Sequence, residues 1–139
     1  MHTVFHTLHH VASLVALALF LFALWRSLSG LMARGGWLPA DEKARRFLPI
    51  ALDVVFLLGI LVWATLEPSG VSAFGPDAPA GHLFKAVIHP LLGCAVLALA
   101  HIGSVRTRRL SNPREKFRTM GLFYVLALLL VVAQAPFHG

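Results

Sequence analysis

The residues of this chain best able to do chemistry are its histidines, and their placement is uneven. His2, His6, His9 and His10 crowd the first ten positions, His82 and His89 stand seven apart near the start of a later apolar run, and His138 is the penultimate residue. That is seven of the eight histidines; His101 lies apart. On a helix, spacings of four and three put His2, His6 and His9 on one stripe, and a spacing of seven puts His82 and His89 on one face. Neutral imidazole is a good ligand for haem iron, and facing helices of a bundle are where such a group is held. His9 or His10 from one helix and His89 from another therefore form a candidate axial pair. Ala86, Gly93 and Ala100, on the His89 side, are small enough to let a flat macrocycle or another helix come close. Pro90 removes a backbone hydrogen bond beside the ligand. The same imidazoles can instead bind zinc or copper at the surface. Asp77 is the one carboxylate near them, which disfavours a hard-cation site. For His2, His6 and His138 the plainer reading, polar groups bridging to water and lipid headgroups, is preferred. It is weaker for His89, which lies about two turns in.

A second polar set stands inside apolar sequence: Arg26, Asp53 and His101. Charges at membrane depth are costly and call for partners. An Arg26–Asp53 ion pair is the expected pairing, although the long Arg26 stem can also snorkel to the interface. His101 is twelve residues from His89 and roughly 120° around the helix. It reads first as a polar partner and second as a further cofactor ligand. Cys94, the single cysteine, sits in an apolar run as a small hydrophobe. There is no phosphate-binding glycine loop, no Ser-His-Asp or Cys-His arrangement, and the carboxylates are too scattered for acid–base hydrolysis.

The elements that must position these groups are four apolar stretches, at roughly 8–32, 47–66, 83–105 and 119–137. Each is about 20 residues long, enough to cross a ~30 Å hydrocarbon core. Apolar residues make up 58% of the 139 positions and charged residues 13%, half the charge of a usual soluble domain. A soluble bundle built of such helices would have no polar face to offer water. The expectation is an all-α fold, a four-helix transmembrane bundle forming a single membrane domain over residues 1–139. No Lys or Arg precedes the first stretch and no small-residue cleavage site follows it, so it reads as a helix of the mature protein. The breaks are marked by Gly35, Gly36 and Pro39, by Glu67-Pro68-Ser69-Gly70 through Pro79, and by Ser111-Asn112-Pro113, a stop and a cap for the fourth helix.

Ten of the twelve Lys and Arg lie in the first and third connections: Arg34, Lys43, Arg45, Arg46, Arg106, Arg108, Arg109, Arg114, Lys116 and Arg118. The positive-inside rule then makes those connections cytoplasmic and both termini outside, with the histidines at the outer end. The net charge of +6 thereby reads as a topology signal, not as a nucleic-acid surface.

Several segments resemble a family of small bacterial four-helix membrane proteins labelled cytochrome b-like. They are His89-Pro90-Leu91-Leu92, Ala100-His101-Ile102-Gly103 before the arginine-rich loop, Phe117-Arg118, Phe123 to Leu128, and Ala135-Pro136-Phe137. Leu8-His9 matches the family's N-terminal Leu-His, while Val11 to Leu14 stand where an Arg and a Trp follow, so a propionate contact from that Arg is not carried over. The resemblance implies a b-type haem protein, or a small subunit of a respiratory electron-transfer complex, in a bacterial inner membrane. His9 and His89 would be the axial ligands, and other membrane subunits the partners. A looser similarity, carried by His9 and Lys85, links the chain to membrane-type protoporphyrinogen oxidases and implies an enzyme of porphyrin metabolism. The runner-up to the haem reading is a cofactor-free accessory subunit packed against larger membrane proteins, with the porphyrin enzyme third.

Overall fold

The computed structural model describes residues 2–65 and 84–134, and for His2, Phe84 and Lys85 the backbone alone. The second connection with Glu67, Asp77 and His82, and the C-terminal His138, lie outside the described residues. Among the described residues the chain forms α1 (His2–Ala33), α2 (Pro39–Ala64), a π-helical turn (Phe84–Ile88) running directly into α3 (His89–Arg109), and α4 (Pro113–Ala133). Each is long and apolar enough to span a bilayer, at 21 to 31 residues. Large apolar side chains point outward from all four helices, among them Leu14 at 67% exposed, Leu57 at 62%, Leu91 at 64% and Leu129 at 59%. Water would not tolerate that on every side; a lipid bilayer does. The chain is a multi-pass, four-helix transmembrane bundle.

The helices are longer than the apolar stretches that announce them. α2 begins at Pro39, eight positions before the expected start, and α4 at Pro113, six before. Apolar pattern marks the part of a helix inside hydrocarbon; charged residues prolong the same helix into the headgroup region. Proline supplies the first turn in both cases, where its missing N–H costs nothing. Asn112 caps α4 as its sequence suggests, its Oδ1 accepting from the Arg114 N–H at 2.9 Å. At the far end α1 stops with Arg34 in the left-handed region (φ 51°), and the Gly35 N–H closes on the Gly30 carbonyl at 3.2 Å.

The core is thickest in the half near the arginine-rich connections. Phe20, Leu48, Phe117, Met120 and Tyr124 are fully buried there, with the Phe20 and Tyr124 rings edge to face at 6.3 Å. Two glycines let helices meet closely. A Cβ on Gly30 of α1 would stand 2.4 Å from the Phe117 ring of α4, and one on Gly103 of α3 would stand 2.4 Å from Phe123 Cβ. The α1–α2 and α3–α4 contacts are the most extensive, and α2–α3 is the thinnest of the four seams.

Two interior prolines explain how that thin seam is tied. A proline within a helix has no N–H for the carbonyl four residues back, and hydrocarbon offers no water to replace it. Pro49 in α2 frees the Arg45 carbonyl, which accepts from Tyr124 Oη at 2.9 Å and from Ser104 Oγ at 2.9 Å. Pro90 in α3 frees the Ala86 carbonyl, which accepts from Trp63 Nε1 at 2.8 Å. Each break in a helix ladder thus becomes a bond between helices.

Candidate cofactor site at the histidine end of the bundle

The start of α1, the end of α2, the start of α3 and the end of α4 meet at one end of the bundle. His9 of α1 is half-buried there, and its Nδ1 lies 2.9 Å from the Val55 carbonyl of α2. A carbonyl can only accept, so Nδ1 carries a proton in this contact. Beneath the ring lies Gly59, where a Cβ would stand 3.1 Å from His9 Cε1, close enough that a methyl there would press on the imidazole. His89 of α3 comes in from the other side, half-buried, with ring centroids 6.4 Å apart and ring planes at 88° to His9. Gln134, at the end of α4, is buried. Its Nε2 donates to the Leu130 carbonyl at 3.0 Å, and its side chain lies beside His89.

Among the described residues, His9 and His89 are the two histidines of different helices whose rings the fold brings together. His10 turns to the exposed side, its ring 4.4 Å from that of His6 and 6.4 Å from that of His9. The small positions near His89 are taken up by helix packing: a Cβ on Gly93 would stand 3.3 Å from the Phe56 ring of α2, and Ala100 is fully buried. The Lys85 side chain lies outside the described residues; its backbone belongs to the π-helical turn before His89. Among the described residues no three His, Cys, Asp or Glu side chains gather into a metal-binding group. Zinc ordinarily takes three or four protein ligands, and here two imidazoles from different helices come within 6.4 Å, centroid to centroid.

The expected Arg26–Asp53 pair is not formed. Arg26 pairs with Asp41, through Nε to Oδ1 at 2.6 Å and Nη2 to Oδ2 at 3.1 Å. The reason is the early start of α2, which puts Asp41 in its first turn, level with Arg26, while Asp53 lies twelve residues, about 18 Å, further along. Asp41 is wholly buried and also accepts from the Leu38 N–H at 2.8 Å. Next to it, Arg45 is held by Glu42 (Nε to Oε1, 2.8 Å) and donates to Ser104 Oγ at 2.9 Å. Trp37 Nε1 also reaches Glu42, at 2.9 Å. Asp53 instead meets His101, Oδ1 to Nε2 at 2.8 Å, on the outer side of the α2–α3 seam. His101 is thus a polar partner, set apart from the His9–His89 layer.

Sequence reasoning missed Val55, Gly59 and Gln134. A backbone carbonyl gives no sequence signal, and a glycine or a glutamine at a helix end is informative only once the neighbouring helices are in register. No family model, no curated protein and no solved structure matches this chain.

Proposed function

We propose that the chain is a b-type haem protein of a bacterial cytoplasmic membrane, with His9 and His89 as axial ligands and both termini on the outer side. The observation that carries this reading is the 6.4 Å separation of two imidazoles borne by different helices. His9 and His89 are the residues that would hold a haem iron, and the haem would supply the redox chemistry there. The His9–Val55 bond adds support, because ligating histidines characteristically give their second N–H to a backbone carbonyl, which fixes tautomer and ring angle. Gly59 leaves the His9 ring its place, and Gln134 of α4 lies beside His89. Haem supplies one-electron transfer when bound. The protein's part is to hold two neutral imidazoles in an apolar layer. Partner membrane subunits that deliver or accept the electron belong to the same reading.

The test is a reduced-minus-oxidised absorption spectrum of protein purified from membranes. His89→Ala and His9→Ala should each abolish the bands, and His10→Ala should leave them. Bands that survive both ligand substitutions would refute the assignment. A protein that never shows bands would be a cofactor-free accessory subunit. Porphyrinogen-dependent turnover that is lost in Lys85→Ala would instead favour the enzyme reading.

A further inference from the structure

Arg106, Arg109 and Arg118 stand around one cleft of about 400 Å³ between the end of α3 and the start of α4, with Leu122 and Phe123 in its wall. The cleft is graded along the helix axis. Arg106 and Arg109 belong to the last turn of α3 and Arg118 to the second turn of α4. Leu122 and Phe123 lie four and five residues past Arg118, about 6 and 7.5 Å deeper into the span. Charge gives way to hydrocarbon over that distance.

The arginines here are not balanced within the protein. Arg26 and Arg45, at the same end of the bundle, take Asp41 and Glu42. Among the described residues Arg106, Arg109 and Arg118 have no carboxylate partner, and Glu115 pairs with none of them. The Arg106 guanidinium stands 5.7 Å from the Phe123 ring centroid, so the ring covers one side of it and the N–H edge stays open to an acceptor. Topology asks only for positive charge at one end of the spans. It does not ask that three unbalanced arginines from two helices surround a single apolar slot. The other cleft at this end, between α1 and α4, has Arg34 and Arg114 with Gly30, Gly35 and Gly36 beside them and no aromatic ring.

From this cleft we infer a binding site for an anionic phospholipid, its phosphate among the three guanidinium groups and one acyl chain along Leu122 and Phe123. Guanidinium N–H groups match phosphate oxygens in parallel pairs, and basic pockets between spans are where such headgroups bind. Charge sets the lipid class: a zwitterionic headgroup brings its own cation towards the arginines, and phosphatidylglycerol does not. The cleft lies at the opposite end of the bundle from His9 and His89, so it is independent of the haem reading.

Native mass spectrometry of the purified chain in neutral detergent, titrated with phosphatidylglycerol, reads the site. One saturable adduct per chain is expected, with weaker binding of phosphatidylcholine bearing the same acyl chains. Inorganic phosphate at equal concentration should not displace the lipid, because it cannot use the apolar wall. Arg106→Gln, Arg109→Gln and Arg118→Gln should each weaken binding about five-fold, the effect of one arginine close to an anionic headgroup. Arg34, Lys43 and Arg46 are exposed charges outside the cleft, screened by salt, and Arg34→Gln/Lys43→Gln/Arg46→Gln should leave the affinity nearly unchanged. No saturable adduct, equal affinity for the two lipids, displacement by inorganic phosphate, or cleft variants that lose no more than the outer set would each overturn the site. The comparison of lipids uses the unsubstituted chain, so it stands even if a variant folds poorly.

Discussion

The Arg45 carbonyl offers the sharpest test of how this bundle is held. Pro49 deprives it of its helical N–H, and Tyr124 Oη and Ser104 Oγ, each at 2.9 Å, take that place. Removing one donor leaves the other, so Tyr124→Phe alone should cost about 0.6–1.5 kcal/mol, the worth of one buried hydrogen bond; Ser104→Ala should cost more, because Ser104 Oγ also accepts from Arg45 Nη1 at 2.9 Å. Removing both strands a carbonyl in a dry core, and the pair should cost about 1–3 kcal/mol beyond the sum. Pro49→Ala returns an N–H four residues on, so in that background the penalty of the double variant should fall back towards simple additivity. The assay is reversible unfolding from mixed micelles by titration with SDS, followed by tryptophan fluorescence and analysed as a thermodynamic cycle. Additive losses in the native background, or a coupling untouched by Pro49→Ala, would refute the idea that these hydroxyls stand in for the missing N–H.

Three further outcomes follow from the geometry. Asp41→Ala strands Arg26 and the Leu38 N–H together and should cost about 2–4 kcal/mol, part of it recovered in Arg26→Ala/Asp41→Ala, whereas Asp53→Ala should show no coupling to Arg26; the same SDS titration reads all of these. Gly103→Ala presses a methyl onto Phe123 Cβ, which has no free rotation to escape, and should cost about 1–3 kcal/mol; no loss of thermal stability would mean that α3 and α4 are not so close. Trp63→Phe removes the donor to the Ala86 carbonyl and should speed amide exchange selectively around residues 84–90, which hydrogen-exchange mass spectrometry measures; protection there that matches the unsubstituted protein would count against the bond.

The four spans could be read from sequence because hydrocarbon thickness fixes the length of apolar sequence each must contain. The His9–His89 meeting could be read as well: once alternate helices run in opposite directions, the start of the first and the start of the third share an end. The Arg26–Asp53 expectation fails for a definite reason. Asp41 sits in a charged run with the look of a loop, and only its inclusion in the first turn of α2 reveals it as the level neighbour. His101 was recognised as a polar partner but not Asp53's, because the choice between two carboxylates depends on interhelical register, which composition does not encode. The contacts to Val55, Ala86 and Arg45 end on backbone oxygens. For two of these the prolines were visible markers, each pointing four residues back to an acceptor in need of a donor from elsewhere.

That last point bears on how the protein is made. When α2 leaves the ribosome it carries an acceptor that nothing upstream fills; Ser104 lies 59 residues further on and Tyr124 79. At translation speeds of about 5–20 residues per second, the first donor arrives roughly 3 to 12 s later. For that interval the second span is an unfinished part, best kept beside the insertion machinery until the C-terminal half has been synthesised.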